Sequence, residues 1–158
     1  MKTQTILLLL AIAQPLFAQS QESHLGSDNH KNEIGIANSL IYILEEKEFT
    51  YGLHAHFTRS FKESKFGIGV GFERIYDDHK HNTIGVLLSY TPAENLALSI
   101  SPGITWRDNN PSNLHFGLHF ETLYEFEIGI FHVGPVAEIA YSEDDYHVSL
   151  GMHLGFGF

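Results

Sequence analysis

The last thirteen residues of the chain alternate, almost without interruption, between apolar side chains and small or polar ones. The apolar positions are Tyr146, Val148, Leu150, Met152, Leu154, Phe156 and Phe158. The positions between them are His147, Ser149, Gly151, His153, Gly155 and Gly157. Successive side chains of a β-strand point to opposite faces, so this segment predicts a strand with one apolar wall and one polar wall. Such a strand, ending on an aromatic residue, is typical of the lipid-facing wall of a closed barrel.

The same alternation recurs along most of the chain, in about eight segments of ten or so residues. Within residues 65–76, for example, phenylalanine, isoleucine and valine alternate with glycine. The predicted strands are 33–44, 48–60, 65–76, 82–91, 96–107, 114–124, 128–141 and 146–158. Short polar connections between such segments are typical of hairpins, so the sequence predicts an antiparallel meander.

Two of the predicted strands have a less regular pattern. Ile41 and Ile43 fall on the polar face of the first strand, and Pro135 interrupts the seventh. Because proline cannot donate a hydrogen bond to a strand ladder, we expect Pro135 to mark a β-bulge. The phase of the side chains in these two strands stays open at the level of sequence.

The composition of the polar faces separates a membrane barrel from a soluble β-sandwich or a lipocalin-like barrel. Half-buried strands alternate in soluble proteins too, but there the outward face is solvated. The polar faces here consist mainly of Gly, Ser, Thr and His with scattered Glu, which suits a crowded interior. The sequence therefore predicts an all-β fold, a closed antiparallel up-and-down transmembrane barrel over residues 33–158. We expect a monomer whose exterior contacts membrane lipid.

The N-terminal part of the chain lacks this alternation. Lys2 precedes an apolar run from Ile6 to Ile12, and small Ala18 precedes polar residues. This order is typical of a secretory signal peptide, which we place at residues 1–18. Residues 19–32 are rich in Ser, Asn, Gln and His and are predicted to be a flexible segment. No later stretch approaches the roughly 20 consecutive apolar residues of a transmembrane helix, so a membrane location has to depend on strands.

Taken together, these features resemble the small eight-stranded outer-membrane barrel family of Gram-negative bacteria, of the OmpX and OmpA transmembrane-domain kind. The resemblance covers roughly residues 33–158 and depends on strand number, alternation and the terminal sequence YHVSLGMHLGFGF. It implies a location in the outer membrane, where the exterior contacts lipid and lipopolysaccharide. It also implies that Phe158 is the carboxy-terminal signal used by the outer-membrane assembly machinery. The resemblance specifies an architecture and no activity.

Composition and barrel size argue against several kinds of site and partner. The chain has no cysteine, so it contains neither disulfides nor thiolate ligands for a metal. Its formal net charge of -10 argues against a nucleic-acid partner, for which a basic patch is expected. An eight-stranded barrel encloses a lumen that side chains just fill, so a channel for solutes is not expected.

Histidine is the unusual component, with eleven in 158 residues. Seven histidines fall on the predicted inward faces, together with three glutamates. They are His54, His56, His115, His119, His132, His147 and His153, with Glu73, Glu121 and Glu138. Imidazole and carboxylate ligands suit zinc, copper or nickel. The sequence therefore indicates a metal ion inside the barrel, in a non-enzymatic membrane protein for metal handling or sensing.

The spacing of these residues selects the candidate ligands. Two histidines separated by two positions, as in the sequence HAH at 54–56, project from the same face of one strand. If the barrel closes, we expect four further residues of the sixth to eighth strands to lie at comparable mid-depth. The candidate metal ligands are His54, His56, His119, Glu121, His132 and His153.

Two other interpretations of the polar lumen remain open. The histidines and glutamates can form a purely structural network, because an unpaired buried polar group is costly. Alternatively, His147 and Ser149 with Glu138 form a set suited to acyl transfer, which resembles that of the outer-membrane lipid A deacylase. His147 and Ser149 share the inward phase, however, whereas a lipid substrate lies outside the barrel.

Overall fold

The structure is a computed structural model that describes residues 30–143 and 145–158. The predicted signal peptide at residues 1–18, and all but the last three residues of the segment 19–32, lie outside the described residues. Asn32, the last residue of that segment, already belongs to the first strand. No helix of the described residues is long and apolar enough to cross a membrane.

Nine strands form one antiparallel sheet that closes on itself. They are β1 (Asn32–Ile43), β2 (Glu48–Ser60), β3 (Phe66–Ile75), β4 (His81–Ala93), β5 (Leu96–Arg107), β6 (Asn110–Tyr124), β7 (Phe126–Ile128), β8 (Phe131–Ser142) and β9 (Asp145–Gly157). Consecutive strands pair from β1 to β6, β1 also pairs with β9, and the pairing of β6 with β8 closes the ring. β7 continues β6 beyond Glu125 on the same partner strand, so the barrel is eight-stranded, as predicted.

The two ends of the barrel differ in which chain segments they carry. Asn32 and Phe158 bond to each other through their backbone groups at one end, which we call the terminal end. The connections 44–47, 76–80 and 108–109, together with residue 143, lie at the opposite end, which we call the far end. The connections 61–65, 94–95 and 129–130 lie at the terminal end, so these connections are short at both ends, and the lumen runs between them.

The apolar wall of β9 faces outward and its polar wall faces the lumen. Leu150 is 65% exposed and Leu154 47% exposed, whereas His147 is 8% exposed and His153 1% exposed. The same holds around the barrel, where large aliphatic and aromatic side chains are exposed on every long strand. An outer surface of this kind is stable in hydrocarbon, since every strand edge is paired and the apolar side chains need not meet water.

The closed sheet settles the phase of the two irregular strands. Ile41 and Ile43 point inward and pack with Ile75 in a fully buried apolar cluster. The register of β8 with β9 stays constant through Pro135, which pairs with Met152, so the prediction of a bulge at Pro135 was wrong. The irregularity is instead on the partner strand, where the ladder is interrupted between β6 and β7 because proline offers no N–H.

Candidate metal centre in the lumen

Four buried side chains from four different strands converge in the lumen. They are Glu73 of β3, His119 of β6, Glu138 of β8 and His147 of β9, and we call them the central cluster. Each of these residues lies on the inward phase of its strand, and Glu138 and His147 are on adjacent strands. One ligand atom from each side chain lies within 4.8 Å of the others.

The nitrogen and oxygen atoms of the central cluster lie close to one another. His119 Nδ1 lies 3.1 Å from one oxygen of Glu138 and 3.6 Å from Oε2 of Glu73. His147 Nε2 lies 3.5 Å from the other oxygen of Glu138 and 3.9 Å from the same Glu73 oxygen. Four ligands placed tetrahedrally at about 2.0–2.1 Å from a zinc ion are separated by roughly 3.4 Å. The four contacts are close to this separation, so the cluster has the dimensions of a metal site with two imidazoles and two carboxylates.

Several polar atoms of this cluster are buried without a hydrogen bond. Within residues 30–143 and 145–158, Oε2 of Glu73, Oε1 of Glu138 and Nε2 of His147 have no hydrogen-bond partner. A cavity of about 20 Å³ lies beside the two histidines of the cluster, His119 and His147. A cavity of this size holds a single water molecule. Buried polar atoms of this kind are rare in folded proteins, which indicates that something further satisfies them.

A second group of histidines and glutamates lies nearer the terminal end. Its members are Glu33, His56, Glu125, His132 and His153, and we call them the terminal cluster. Glu33 is the common partner, with its two oxygens 3.3 Å from His56 Nε2 and 2.5 Å from His132 Nδ1. The imidazoles of His56 and His153 are stacked, with centroids 5.1 Å apart and planes 8° from parallel.

His54 and Glu121 lie between these two clusters. His54 Nδ1 is 3.4 Å from Oε2 of Glu121, and its ring meets that of His56 edge-on at 5.4 Å. Glu121 pairs in register with Glu138 of the central cluster. The polar side chains thus form a continuous series along the lumen.

The six ligands predicted from the sequence are all in the lumen, but the structure divides them among these groups. His119 belongs to the central cluster, and His54 and Glu121 lie between the clusters. His56, His132 and His153 belong to the terminal cluster. The expectation of one common depth was wrong, since the register partner of His119 on β8 is Ala140, eight residues from His132.

Three members of the central cluster were not among the predicted ligands. Glu73, Glu138 and His147 were assigned to the inward face by alternation, and the structure buries all three. Alternation indicates the face of a side chain but not its height in the barrel. The missing information was the stagger of β8 and β9 relative to β3 and β6, which depends on how the sheet closes.

The residues considered for acyl transfer also lie in the lumen. His147 Nε2 contacts Glu138 at 3.5 Å, and Ser149 pairs in register with Glu138. This carboxylate contacts His119 at the same time. The set therefore forms part of the central cluster and faces away from the lipid side of the barrel.

A separate ion pair stabilises the turn between β3 and β4 at the far end. His81 Nδ1 lies 2.6 Å from Oδ2 of Asp77, and the backbone N–H of His81 donates to Oδ1. Burial disfavours the charged carboxylate, but the contact with the His81 ring and this backbone hydrogen bond prevail, so the pKa of Asp77 lies below its usual value of 3.8. The ionised form of Asp77 is therefore stabilised in the folded turn.

We expect Asp77→Asn to remove part of the pH dependence of stability. A carboxyl group with a lowered pKa in the folded state stabilises that state above its ordinary pKa, and the contribution disappears as the pH falls through the folded pKa. The loss of stability caused by Asp77→Asn, measured as a free energy of unfolding in detergent, should therefore be greater at pH 7 than at pH 3. Asp78→Asn, at the exposed neighbouring position, is the control. An equal loss at both pH values would contradict this role of Asp77.

Comparison with known proteins concerns the fold. No protein-family model and no curated protein sequence matches this chain. The solved structure of Neisserial surface protein A is similar, with a TM-score of 0.60 and 13% identity over 80% of this chain and 96% of that chain. Ail, the attachment invasion locus protein of Yersinia pestis, gives a TM-score of 0.52 at 13% identity over 80% of this chain and 96% of that one. The N-terminal barrel domain of Pseudomonas aeruginosa OprF gives 0.52 at 13% identity over 82% and 100%.

These similarities are to outer-membrane barrels, and at this level of identity they concern architecture alone. The apolar exterior gives an independent reason for a bilayer location, since it suits lipid and not water. The exterior of the barrel is accordingly that of a membrane-embedded protein. The chain has the fold of the small eight-stranded outer-membrane β-barrels.

Proposed function

We propose that this barrel is a non-enzymatic outer-membrane protein that binds one divalent transition-metal ion in the central cluster. The observation that carries the proposal is the convergence of Glu73, His119, Glu138 and His147 at distances of 3.1 to 3.9 Å. The lone pairs of two imidazoles and two carboxylates would be the ligands. The function that follows is metal handling or sensing at the outer membrane.

The charges of the cluster support a divalent ion. Glu73 and Glu138 are both buried, and they contact the same two histidines. Two buried carboxylates close together repel each other strongly when solvent is excluded. A divalent cation between them would make the cluster neutral, and it would also satisfy the carboxylate and imidazole atoms that have no hydrogen-bond partner among the described residues.

The ligand types suit zinc, copper or nickel, since imidazole and carboxylate bind all three ions. The four contacts join the ligand atoms in a ring, which a tetrahedral zinc site and a square copper(II) or nickel(II) site both allow. Zinc is therefore used as the test ion. Magnesium and calcium prefer six or more oxygen ligands, and two of the four ligands here are nitrogen.

The alternative is a structural network without metal, in which protonated imidazoles neutralise the carboxylates. The contact of 3.1 Å between His119 and Glu138 suits such a pair as well. A network of this kind leaves the barrel with no function beyond its architecture and any protein partners. The two proposals differ in metal content, which can be measured.

We expect the barrel, purified in detergent without metal and then given Zn²⁺, to retain about one ion through gel filtration at this site. Metal analysis of the protein fraction measures the ratio. Replacing His147 with alanine removes one of four ligands and should weaken zinc binding at the central cluster at least 100-fold. Magnesium at the same concentration should not be retained.

His115→Ala is the matched control for this substitution. His115 faces the lumen from the same strand as His119, but its ring contacts Glu143 near the far end, and it is not one of the four residues of the central cluster. This variant should bind zinc as the unchanged protein does. If zinc is not retained, or if His147→Ala and His115→Ala bind it equally, the metal proposal is wrong and the structural network is preferred.

Three expectations about partners stand as further proposals. The exterior would contact lipid and lipopolysaccharide, and the barrel would be monomeric. Phe158, whose side chain packs near Phe156 on the outer face, would be recognised by the outer-membrane assembly machinery. Deletion of Phe158 should then reduce the amount of folded barrel in the outer membrane.

A further inference from the structure

We propose a second metal site in the terminal cluster, formed by Glu33, His56 and His153, which binds its ion more weakly than the central cluster and exchanges it with the terminal end. This inference extends the proposed function from one bound ion to two. It depends on contacts that are separate from those of the central cluster, so each site can fail without the other.

Three ligand atoms of the terminal cluster converge on one point. His56 Nε2 lies 3.3 Å and His153 Nε2 lies 3.7 Å from the same oxygen of Glu33. These two separations are close to the roughly 3.4 Å expected between ligands of one tetrahedral ion. The other Glu33 oxygen contacts His132, which orients the carboxylate from outside the site.

Glycine makes this convergence possible. A Cβ atom at residue 35 would overlap Nε2 of both His56 and His153, so only glycine leaves room for the two rings. On the neighbouring strand, a Cβ at Gly155 would lie 2.9 Å from both Glu33 and His153. Two glycines therefore shape the space in which the three ligands meet.

The burial of His153 is the second observation that points to a ligand. Its side chain is 1% exposed, and within the described part of the chain neither of its ring nitrogens has a hydrogen-bond partner. A neutral imidazole carries one donor and one acceptor nitrogen, so one of the two is available as a metal ligand. Glu125, 3.5 Å from His153 Nδ1, is placed to accept from the other nitrogen.

The number of ligands predicts how the two sites differ. The central cluster offers four side chains, which closes a tetrahedral site, whereas the terminal site offers three and leaves one position open. Glu33 is also more exposed than the central glutamates, with 17% of its side chain accessible against 8% and 5% for Glu73 and Glu138. An open position and partial exposure allow an incoming ligand to remove the ion, so we expect faster exchange there.

The test is the zinc stoichiometry of the full-length barrel, purified from membranes in detergent, with a chelator as competitor. We expect two zinc ions per barrel at saturation, with affinities at least tenfold apart. His153→Ala should lose only the weaker ion, His147→Ala should lose only the tighter one, and His115→Ala should keep both. Because a histidine variant can fail to fold, the unchanged protein is also titrated with zinc while the ring nitrogens are observed by ¹⁵N NMR. The signals of His56 and His153 should shift mainly with the second equivalent.

Each outcome decides between the two sites. A single ion that His147→Ala removes and His153→Ala does not would overturn the terminal site and leave the proposed function intact. A single ion that only His153→Ala removes would overturn the central site and uphold the terminal one. Retention of no zinc, with unchanged ring-nitrogen signals, would overturn both.

Discussion

Replacing Glu138 with alanine is expected to lower the free energy of unfolding of the metal-free barrel by about 3–5 kcal/mol. Glu138 is buried and its two oxygens contact His119 at 3.1 Å and His147 at 3.5 Å. Without this carboxylate both imidazoles share Glu73, at the longer distances of 3.6 and 3.9 Å. Removal of one partner from a buried group of charges costs more than the group contributes as a whole, since the remaining partners stay desolvated.

Urea unfolding in detergent or lipid vesicles would measure this loss, with the fluorescence of the chain's one tryptophan, Trp106, as the signal. Glu94→Ala, at an exposed position in the turn between β4 and β5, is the control and should change stability by no more than about 0.5 kcal/mol. With zinc added at about 100 times its dissociation constant, the unchanged barrel should gain about 2.7 kcal/mol and the Glu138 variant much less. Equal unfolding curves for Glu138→Ala and Glu94→Ala would contradict a stabilising role for Glu138.

Placing arginine at Leu150 is expected to destabilise the membrane-embedded barrel by about 2–4 kcal/mol. Leu150 lies near the middle of β9, points outward and is 65% exposed. In the hydrocarbon core its side chain faces lipid, where a guanidinium loses its hydration. The unfolding free energy in phospholipid vesicles is the appropriate measurement.

Thr91→Arg is the matched control for this substitution. Thr91 is exposed and lies near the terminal end of β4, where an arginine side chain reaches water and the headgroup region, so the cost should be about 0–1 kcal/mol. If both arginines cost the same, or if Leu150→Arg is harmless in vesicles, then the outer surface of β9 does not face the hydrocarbon. The apolar exterior would then need another explanation.

The sequence was sufficient to predict the architecture because the pattern of one strand is local information. β2 and β5 have the predicted bounds, and most other strand ends lie within two residues of those predicted. The sixth strand begins earlier, at Asn110, because the sequence NPSN lacks apolar alternation yet extends the β5–β6 hairpin. Alternation also placed the seven histidines and the three glutamates Glu73, Glu121 and Glu138 correctly on the inside, since one face of each strand must meet lipid. It did not assign Glu33 and Glu125 of the terminal cluster.

The grouping of those residues depended on information that no single strand contains. His119 and His147 lie on strands that are separated by β8. They lie at the same level because Ala140 of β8 pairs in register with both of them. The stagger between strands accumulates around the ring, so a small error in each hairpin changes which residues share a level. The inward phase of Ile41 and Ile43 could not be predicted from the sequence either, because apolar residues are not expected on a polar lumen face. The structure explains them, since both pack against Ile75.

X-ray absorption at the zinc edge, on the barrel loaded with one equivalent of zinc, tests the central claim most directly. If the central cluster binds the ion, the spectrum will show four nitrogen and oxygen ligands at about 2.0–2.1 Å, with the multiple scattering of two imidazole rings. That signal should be lost in His147→Ala and kept in His115→Ala. A shell of water oxygens without imidazole scattering would contradict the claim that the lumen of this barrel is a metal site.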